Sequence, residues 1–119
     1  NNIIMFDDEH NFNQEKFNNI LKICFLEEFY SKRQNEILDE DGVKISGGEK
    51  QRIGLARALY KNRNVLILDE ATNAINSDLE KNILNNILTN FNDKTIICIS
   101  HNLDSKNIFD KVVNLDKLN

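Results

Sequence analysis

Hydrophobic residues recur at helical spacing through the first part of the chain. Residues 13–30 begin with Asn13, a residue type that caps helix starts, and Glu15 suits the first turn. The apolar positions that follow form one stripe on a helix surface: Phe17, Ile20, Leu21, Cys24 and Phe25. The pattern predicts one helix over residues 13–30, followed by a polar, irregular segment over residues 31–44 in which Gly42 marks a turn.

The second half of the chain alternates short apolar runs with helical periodicity. Residues 65–68 are a continuous apolar run of the kind found in strands buried on both faces of a parallel sheet, and residues 95–100 are predicted as a second apolar strand. Residues 77–91 repeat apolar side chains at helical spacing, residues 104–109 suit a short helix, and residues 111–115 suit a third strand. The predicted order is β-α-β-α-β, which implies parallel strand pairing.

Capping boxes mark the starts of two predicted helices. Ser46 and Glu49 have the required spacing at the start of a helix that runs to Tyr60, and Ser77 and Glu80 have it at the start of the next helix. These pairs predict where the two helices begin.

Composition narrows the class of protein without deciding it. The chain has 119 residues, of which 40% are hydrophobic and 29% charged, an ordinary globular balance. The net charge of -4 argues against a nucleic-acid partner, which is usually met by a basic surface. No apolar run approaches the ~20 residues of a membrane-spanning helix, and residues 1–10 lack a signal-peptide pattern. Cys24 and Cys98 lie far apart within apolar stretches, which predicts buried, reduced thiols.

Two glycines stand in the first turn of the helix that starts at Ser46. Gly47 and Gly48 are poor helix formers, so a plain capping box does not account for them. Glycine permits close backbone approach, and the amino end of a helix favours anions such as phosphate. The alternatives at Ser46, Gly47, Gly48 and Glu49 are therefore an anion site and a simple cap.

Acidic and histidine side chains follow the first two predicted strands. Asp69 and Glu70 come directly after residues 65–68, and His101 follows residues 95–100. One carboxylate could hold Mg²⁺ through water while the next activates a water molecule. The alternative is that these polar residues simply face solvent, as we expect for His10. In parallel sheets ligands lie beyond the carboxyl ends of strands, which favours a site here.

Taken together, these segments resemble the ATPase domain of ABC transporters over nearly the whole chain. Residues 45–52 and 55–59 are similar to the signature motif and its helix, residues 65–72 to the Walker B segment that leads into the D-loop, and residues 99–101 to the switch-histidine loop. Residues 70–72 (Glu-Ala-Thr) and 39–43, which resemble the X-loop, are similar to exporter-type members. Residues 2–3 are similar to the segment after the Q-loop.

The resemblance implies a fold and a division into two regions. The fold class is α/β, the C-terminal part of a P-loop NTPase (RecA-like) parallel sheet with part of the ABC helical subdomain. Residues 1–60 would belong to the helical subdomain, including the X-loop-like segment and the signature helix. Residues 61–119 would belong to the RecA-like core with Walker B, the D-loop and the switch histidine.

The resemblance also implies roles for individual residues. Ser46, Gly47, Gly48 and Glu49 would contact ATP held by a partner ATPase domain in a head-to-tail dimer. Asp69 would help to bind Mg²⁺ through water, and Glu70 would act as general base. His101 would sense the γ-phosphate and stabilise charge during transfer.

Departures from the family pattern limit what this chain can do alone. The sequence contains no GxxxxGK[ST] phosphate-binding loop, and no Q-loop glutamine or adenine-stacking aromatic is found. Asn76 stands where the D-loop usually carries aspartate, which leaves open whether the site hydrolyses ATP at a normal rate. We therefore expect the chain alone to be inactive, and we expect a P-loop to be supplied from elsewhere in the parent protein.

The leading hypothesis is an ATP-hydrolysing subunit that drives export at the cytoplasmic face of a membrane. Its expected partners are a second ATPase domain and a transmembrane domain, and its cofactors are ATP and Mg²⁺. The alternatives are the C-terminal lobe of a soluble ABC ATPase of DNA repair, chromosome maintenance or translation, and a non-catalytic ABC-like module. We also expect the isolated chain to self-associate through exposed sheet edge and apolar surface.

Overall fold

The computed structural model describes residues 11–35 and 45–117, apart from the side chains of residues 34 and 35. In chain order the regular elements are α1 (Gln14–Ile23), α2 (Glu27–Asn35), α3 (Gly47–Tyr60), β1 (Val65–Asp69), α4 (Ser77–Asn90) and β2 (Thr95–Ile99). Short 3-10 turns follow at Lys106–Ile108 and Leu115–Lys117. The α/β class predicted from the sequence is confirmed. No described helix is long and apolar enough to cross a membrane.

The helix predicted over residues 13–30 is two helices. Asn13 caps the start of α1 as expected, because its side chain accepts a hydrogen bond from the Lys16 N–H. The helix ends at Ile23 with Cys24 as its C-cap, and the next residue, Phe25, adopts a left-handed backbone with φ 54°. The Phe25 N–H donates to the Lys22 carbonyl (3.2 Å) and the Leu26 N–H donates to the Leu21 carbonyl (2.8 Å). This pair of bonds is a Schellman cap, and it satisfies two carbonyls that the helix end would otherwise leave free.

The break escaped prediction because its key position is occupied by phenylalanine. Glycine is the usual residue at the left-handed position after a helix, since a side chain there costs about 1–2 kcal/mol. Leu26, the next residue, is fully buried, and this packing offsets the strain at Phe25. The apolar spacing continues across the break, so periodicity alone indicates one uninterrupted helix.

One hydrophobic core joins the helices to the inner face of the sheet. Phe17 lies at its centre, fully buried, with its ring edge-on to Tyr30 at 5.2 Å between centroids. Each of the helices α1, α3 and α4 and the strand β1 contributes buried apolar side chains to this core, among them Ile20, Leu21, Ile53, Leu55, Leu59, Leu66, Leu68, Ile83, Leu84 and Ile87. The core holds α3 and α4 against the strands, and so fixes the loops at the strand ends.

The two strands form a parallel pair whose second face is uncovered by the described residues. Val65 pairs with Thr95 and Asp69 with Ile99, so both strands end at the same edge. Leu66 and Leu68 face the core, whereas Ile67 on the opposite face is 62% exposed. The prediction that the first strand is buried on both faces is therefore wrong for the described chain, because no described element packs on the outer face. The expected self-association through this face stays a prediction.

The third strand predicted over residues 111–115 is not formed. Residues 111–114 have no regular structure, and the 3-10 turn Leu115–Lys117 follows them. Val112 and Val113 are exposed, and no strand of the described residues lies beside them. A β-strand needs a neighbouring strand for its hydrogen bonds, so an apolar run without one does not become a strand. The short helix predicted over residues 104–109 is present only as the turn Lys106–Ile108.

Both cysteines are free thiols, as predicted, and they differ in burial. Burial raises the pKa of the Cys24 thiol to about 12, opposed by the nearby Arg52 guanidinium, and burial also raises the pKa of Cys98. Because the thiolate is the reactive form, we expect Cys24 to stay unmodified in the native protein even at about pH 9, where an ordinary thiol ionises.

Timed alkylation followed by peptide mass spectrometry tests this expectation. Cys98, which is only partly buried, is the internal control and should be modified first. In denaturant both residues should react at similar rates. Equal rates in the native protein would contradict the full burial of Cys24 in the core.

Candidate functional site

Glu70 and His101 meet at the edge where both strands end. The Glu70 N–H donates to the Ile99 carbonyl at 2.9 Å, which continues the strand pairing by one residue. The His101 Nε2 atom lies 2.8 Å from the Glu70 Oε1 atom. The histidine side chain is 93% exposed and the glutamate side chain 43% exposed. The two side chains singled out in the sequence are therefore adjacent and accessible to a ligand from solvent.

Glu70 itself has a left-handed backbone, with φ 48°. A non-glycine residue in this region carries strain of order 1–3 kcal/mol, and such residues cluster at functional sites. The conformation turns the chain sharply as it leaves β1, so that the Asn73 N–H reaches back to the Glu70 carbonyl at 3.4 Å. Residues 70–76 consequently fold back into a loop towards the start of α3 instead of continuing away from the sheet.

The amino end of α3 is closed by the capping box that the sequence predicts. The Ser46 Oγ atom accepts from the Glu49 N–H at 3.2 Å, and the Glu49 Oε2 atom accepts from the Ser46 N–H at 3.0 Å. Ser46, Gly47, Gly48 and Glu49 are all at least partly exposed, beside the loop of residues 70–76. The helix start therefore presents amide groups at the same edge of the molecule as Glu70.

The two glycines of this turn have different surroundings. A Cβ atom added to Gly48 would lie 3.1 Å from the Ala74 carbonyl oxygen, which is closer than ordinary packing. A Cβ atom on Gly47 would lie 3.5 Å from the Ala74 Cβ, an ordinary contact. Close backbone approach at Gly48 is thus explained within the chain by the loop of residues 70–76. No close contact with the described residues requires glycine at position 47. The predicted anion contact therefore remains the hypothesis for Gly47.

The Gln51 side chain holds the loop of residues 70–76 against α3 through hydrogen bonds. Sequence analysis did not identify this link. The Gln51 Oε1 atom accepts from the Ala74 N–H at 2.9 Å, and its Nε2 atom donates to the Asn73 side chain and to the Glu70 carbonyl. One side chain in the second turn of α3 thereby contacts both the start and the middle of the loop of residues 70–76. No local signal distinguishes it from other helix-surface glutamines, because its partners are about twenty residues away in sequence.

Asn76 caps α4. Its side chain accepts from the Leu79 N–H at 2.9 Å. The capping box predicted for Ser77 and Glu80 is therefore wrong: the helix starts one residue earlier than that box requires, and Glu80 is buried. Asparagine and aspartate cap helices about equally well, so the departure from the family pattern at Asn76 keeps the local structure. The predicted role of Asn76 in the D-loop stays a prediction.

Asp69 is the residue with the chemistry to face a metal ion. Its side chain is exposed at the carboxyl end of β1, next to Glu70. The described residues contain no group of His, Cys, Asp or Glu side chains that could hold a metal ion by themselves. Mg²⁺ commonly takes one or two carboxylates and completes its shell with water and substrate phosphates, so a lone exposed carboxylate fits a partial site. The X-loop-like residues 39–43, residues 2–3 and His10 lie outside the described residues.

A parallel strand pair with acidic and histidine residues at its carboxyl edge, beside a glycine-led helix, is the arrangement expected from the resemblance to ABC-type ATPases. The family model described as ABC transporter matches residues 5–73. The chain therefore belongs to the ABC transporter family.

Individual relatives agree with this family. A Rickettsia bellii protein, described as an export ATP-binding/permease protein, is 38% identical over 96% of this chain and 20% of its own length. The ATP-dependent lipid A-core flippase of Aliivibrio fischeri is 33% identical over 98% of this chain and 20% of its own length. A solved bacterial Atm1-family ABC exporter with ATP bound matches with TM-score 0.69 and 29% identity, over 87% of this chain and 18% of that one. The chain thus spans about a fifth of the length of these relatives.

Proposed function

We propose that this chain supplies one face of a composite ATP-hydrolysis site in the ATPase domain of a membrane exporter. The observation that carries the proposal is the Glu70–His101 contact of 2.8 Å, placed beside the glycine-led start of α3 by the loop that Gln51 holds. Phosphoryl transfer to water requires a base, a group that stabilises charge, and groups that bind phosphate. Glu70 and His101 can supply the first two. The relatives named for export and flipping favour this proposal over a DNA-repair, translation or non-catalytic role.

In the proposed head-to-tail dimer the residues of this chain divide into phosphate contacts and reacting groups. The hydroxyl of Ser46 and the amide groups of Gly47 and Gly48, flanked by Glu49, face the γ-phosphate of ATP held by a partner ATPase domain. Asp69 would hold Mg²⁺ through water, and the ion would neutralise phosphate charge. Asn76 lies in the loop that faces the partner. The P-loop of the partner domain would hold that ATP, and the P-loop of this chain's own parent domain would hold the ATP beside Glu70 and His101.

The reacting pair works by proton transfer and charge stabilisation. Glu70 accepts a proton from the attacking water molecule, which then bonds to the γ-phosphorus as the bond to the β-γ bridging oxygen breaks. His101, whose Nε2 atom lies within hydrogen-bond distance of Glu70, orients this carboxylate and stabilises the charge that develops on the transferring phosphoryl group. The electron pair of the broken bond stays with ADP. Coupling to a transmembrane domain at the cytoplasmic membrane face converts this cycle into transport.

Calorimetry with Mg-ATP tests the proposal. We expect no binding by this chain alone, because it contains no phosphate-binding loop sequence. Binding and hydrolysis should appear after addition of the P-loop-bearing region of the parent protein. Mg-ADP serves as the control, since it lacks the γ-phosphate that the start of α3 is proposed to contact. Tight Mg-ATP binding by the chain alone, or no hydrolysis in the complete parent protein, would contradict the proposal.

A further inference from the structure

Glu80 is a buried carboxylate that the proposed reaction does not use. It lies in the first turn of α4 and is only 3% exposed. Its Oε1 atom accepts a hydrogen bond from the Thr72 hydroxyl, and its Oε2 atom accepts from the Asn102 side-chain amide. Burying a carboxylate is costly unless its oxygens are bonded, so a glutamate placed here for helix stability alone would be a poor choice.

The two partners of Glu80 belong to the two loops that carry the reacting pair. Thr72 lies two residues after Glu70, in the loop that leaves β1, and it is itself buried. Asn102 lies directly after His101, in the loop that leaves β2. One side chain of α4 therefore spans the gap between the two strand ends and bonds a different oxygen to each loop.

Each loop depends on the residue that Glu80 holds. The Asn102 Oδ1 atom accepts from the Asp104 N–H at 3.0 Å, so the amide of Asn102 has one orientation, with its NH₂ group towards Glu80. The Thr72 carbonyl accepts from the Ile75 N–H at 3.0 Å, within the turn that leads to the α4 cap. Releasing Glu80 would thus loosen both loops from the inside without touching either reacting side chain.

We infer that Glu80 is a positioning residue, which sets the distance between Glu70 and His101 by holding their two loops to α4. This inference rests on the proposed function. Glu70 and His101 lie on two separate loops whose ends are exposed. A misplacement of a catalytic group by about 1 Å can lower the reaction rate about 10²-fold. Glu80 does not contact the substrate, and it acts through Thr72 and Asn102.

Three substitutions at this position separate positioning from simple stability. Glu80→Ala removes both bonds. Glu80→Gln keeps both links, because its carbonyl can accept from the Asn102 amide and its NH₂ group can donate to the Thr72 hydroxyl, which is able to accept. Asp78→Ala is the matched control, since it removes an exposed acid from the same helix turn.

The rate of ATP hydrolysis is to be measured in the full-length parent protein. We expect Glu80→Ala to lower kcat by about 10²-fold with little change in KM for ATP. Glu80→Gln should restore most of the rate, and Asp78→Ala should behave as the unchanged protein. Asn102→Ala should lower kcat in part, and adding it to Glu80→Ala should lower kcat no further, because both act through one link.

Hydrogen exchange of the nucleotide-free protein gives a second measurement that is independent of activity. Glu80→Ala should speed exchange at the Asp104 and Ile75 amides, which bond to the residues that Glu80 holds. The Phe91 amide, bonded to Ile87 at the far end of α4, should exchange as before.

Two results would overturn the inference. One is a kcat for Glu80→Ala within about twofold of that for Asp78→Ala. The other is that Glu80→Ala speeds exchange at the Phe91 amide as much as at the Asp104 and Ile75 amides, and that Glu80→Gln does not restore the rate of hydrolysis. That result would show a general loss of stability. If the unchanged parent protein hydrolyses no ATP, the proposed function fails, and the exchange experiment still decides whether Glu80 links the two loops.

Discussion

Replacing Glu70 with glutamine is expected to lower the rate of ATP hydrolysis in the parent protein by about 10²- to 10⁴-fold while ATP binding persists. The substitution removes the proton acceptor and almost nothing else. The glutamine carbonyl can still accept from His101, whose Nε2 atom lies 2.8 Å from the Glu70 carboxylate. The backbone bond from residue 70 to the Ile99 carbonyl is also retained. Single-turnover hydrolysis, measured beside equilibrium binding of Mg-ATP, separates the two effects.

Asp93→Asn is the matched control for this variant. Asp93 is an exposed acid in the turn between α4 and β2, at the opposite end of the sheet from Glu70. Asp93→Asn changes the net charge by the same amount as Glu70→Gln, but at a position away from the site. It should therefore leave the rate of ATP hydrolysis unchanged. Glu70→Gln with a normal rate would mean that another group accepts the proton, and the role proposed for Glu70 would have to be given up.

Adding a single methyl group at Gly48 is expected to lower ATP hydrolysis by about 10²-fold, through movement of the loop that carries Glu70. A Cβ atom at this position would lie 3.1 Å from the Ala74 carbonyl oxygen. The Ala74 N–H is held by Gln51, so the loop cannot withdraw without breaking that hydrogen bond. Overpacking of this kind also costs about 1–3 kcal/mol of unfolding free energy.

The same helix offers two controls for Gly48→Ala. Gly54 faces open space, so Gly54→Ala should keep the rate and raise the unfolding free energy by about 0.5–1 kcal/mol. Gly47→Ala introduces only an ordinary contact within the chain. A loss of ATP binding in Gly47→Ala without loss of stability would report a ligand at this turn. Denaturant unfolding and steady-state hydrolysis are the measurements, and equal rates for Gly48→Ala and Gly54→Ala would contradict the prediction.

Much of the candidate site could be predicted because its parts are local. The apolar runs place Glu70 and His101 at strand ends, and parallel strands end at one edge, so their proximity follows from the order of elements. The capping box of Ser46 and Glu49 is a short-range signal, and the structure confirms it. The roles of these residues in ATP hydrolysis remain predictions that come from the family resemblance.

The wrong predictions share a different cause. The spacing of Ser77 and Glu80 satisfies the rule for a capping box, yet Asn76 takes the cap and Glu80 turns to Thr72 and Asn102. Spacing within a few residues cannot reveal a hydrogen-bond partner that lies 22 residues away in sequence. The third strand fails for a related reason, since an apolar run describes a strand only where another strand is available to pair with it.

The sequence by itself determined the order α3, β1, α4 and β2, the start of α3, and the strand-end positions of Asp69, Glu70 and His101, because periodicity and caps act over a few residues. Only the tertiary structure decided the break between α1 and α2 at Phe25, the hydrogen bonds from Gln51 to the loop after β1, and the burial of Glu80. Each of these depends on packing or hydrogen bonds between distant segments. Such contacts exist only after the core has brought those segments together.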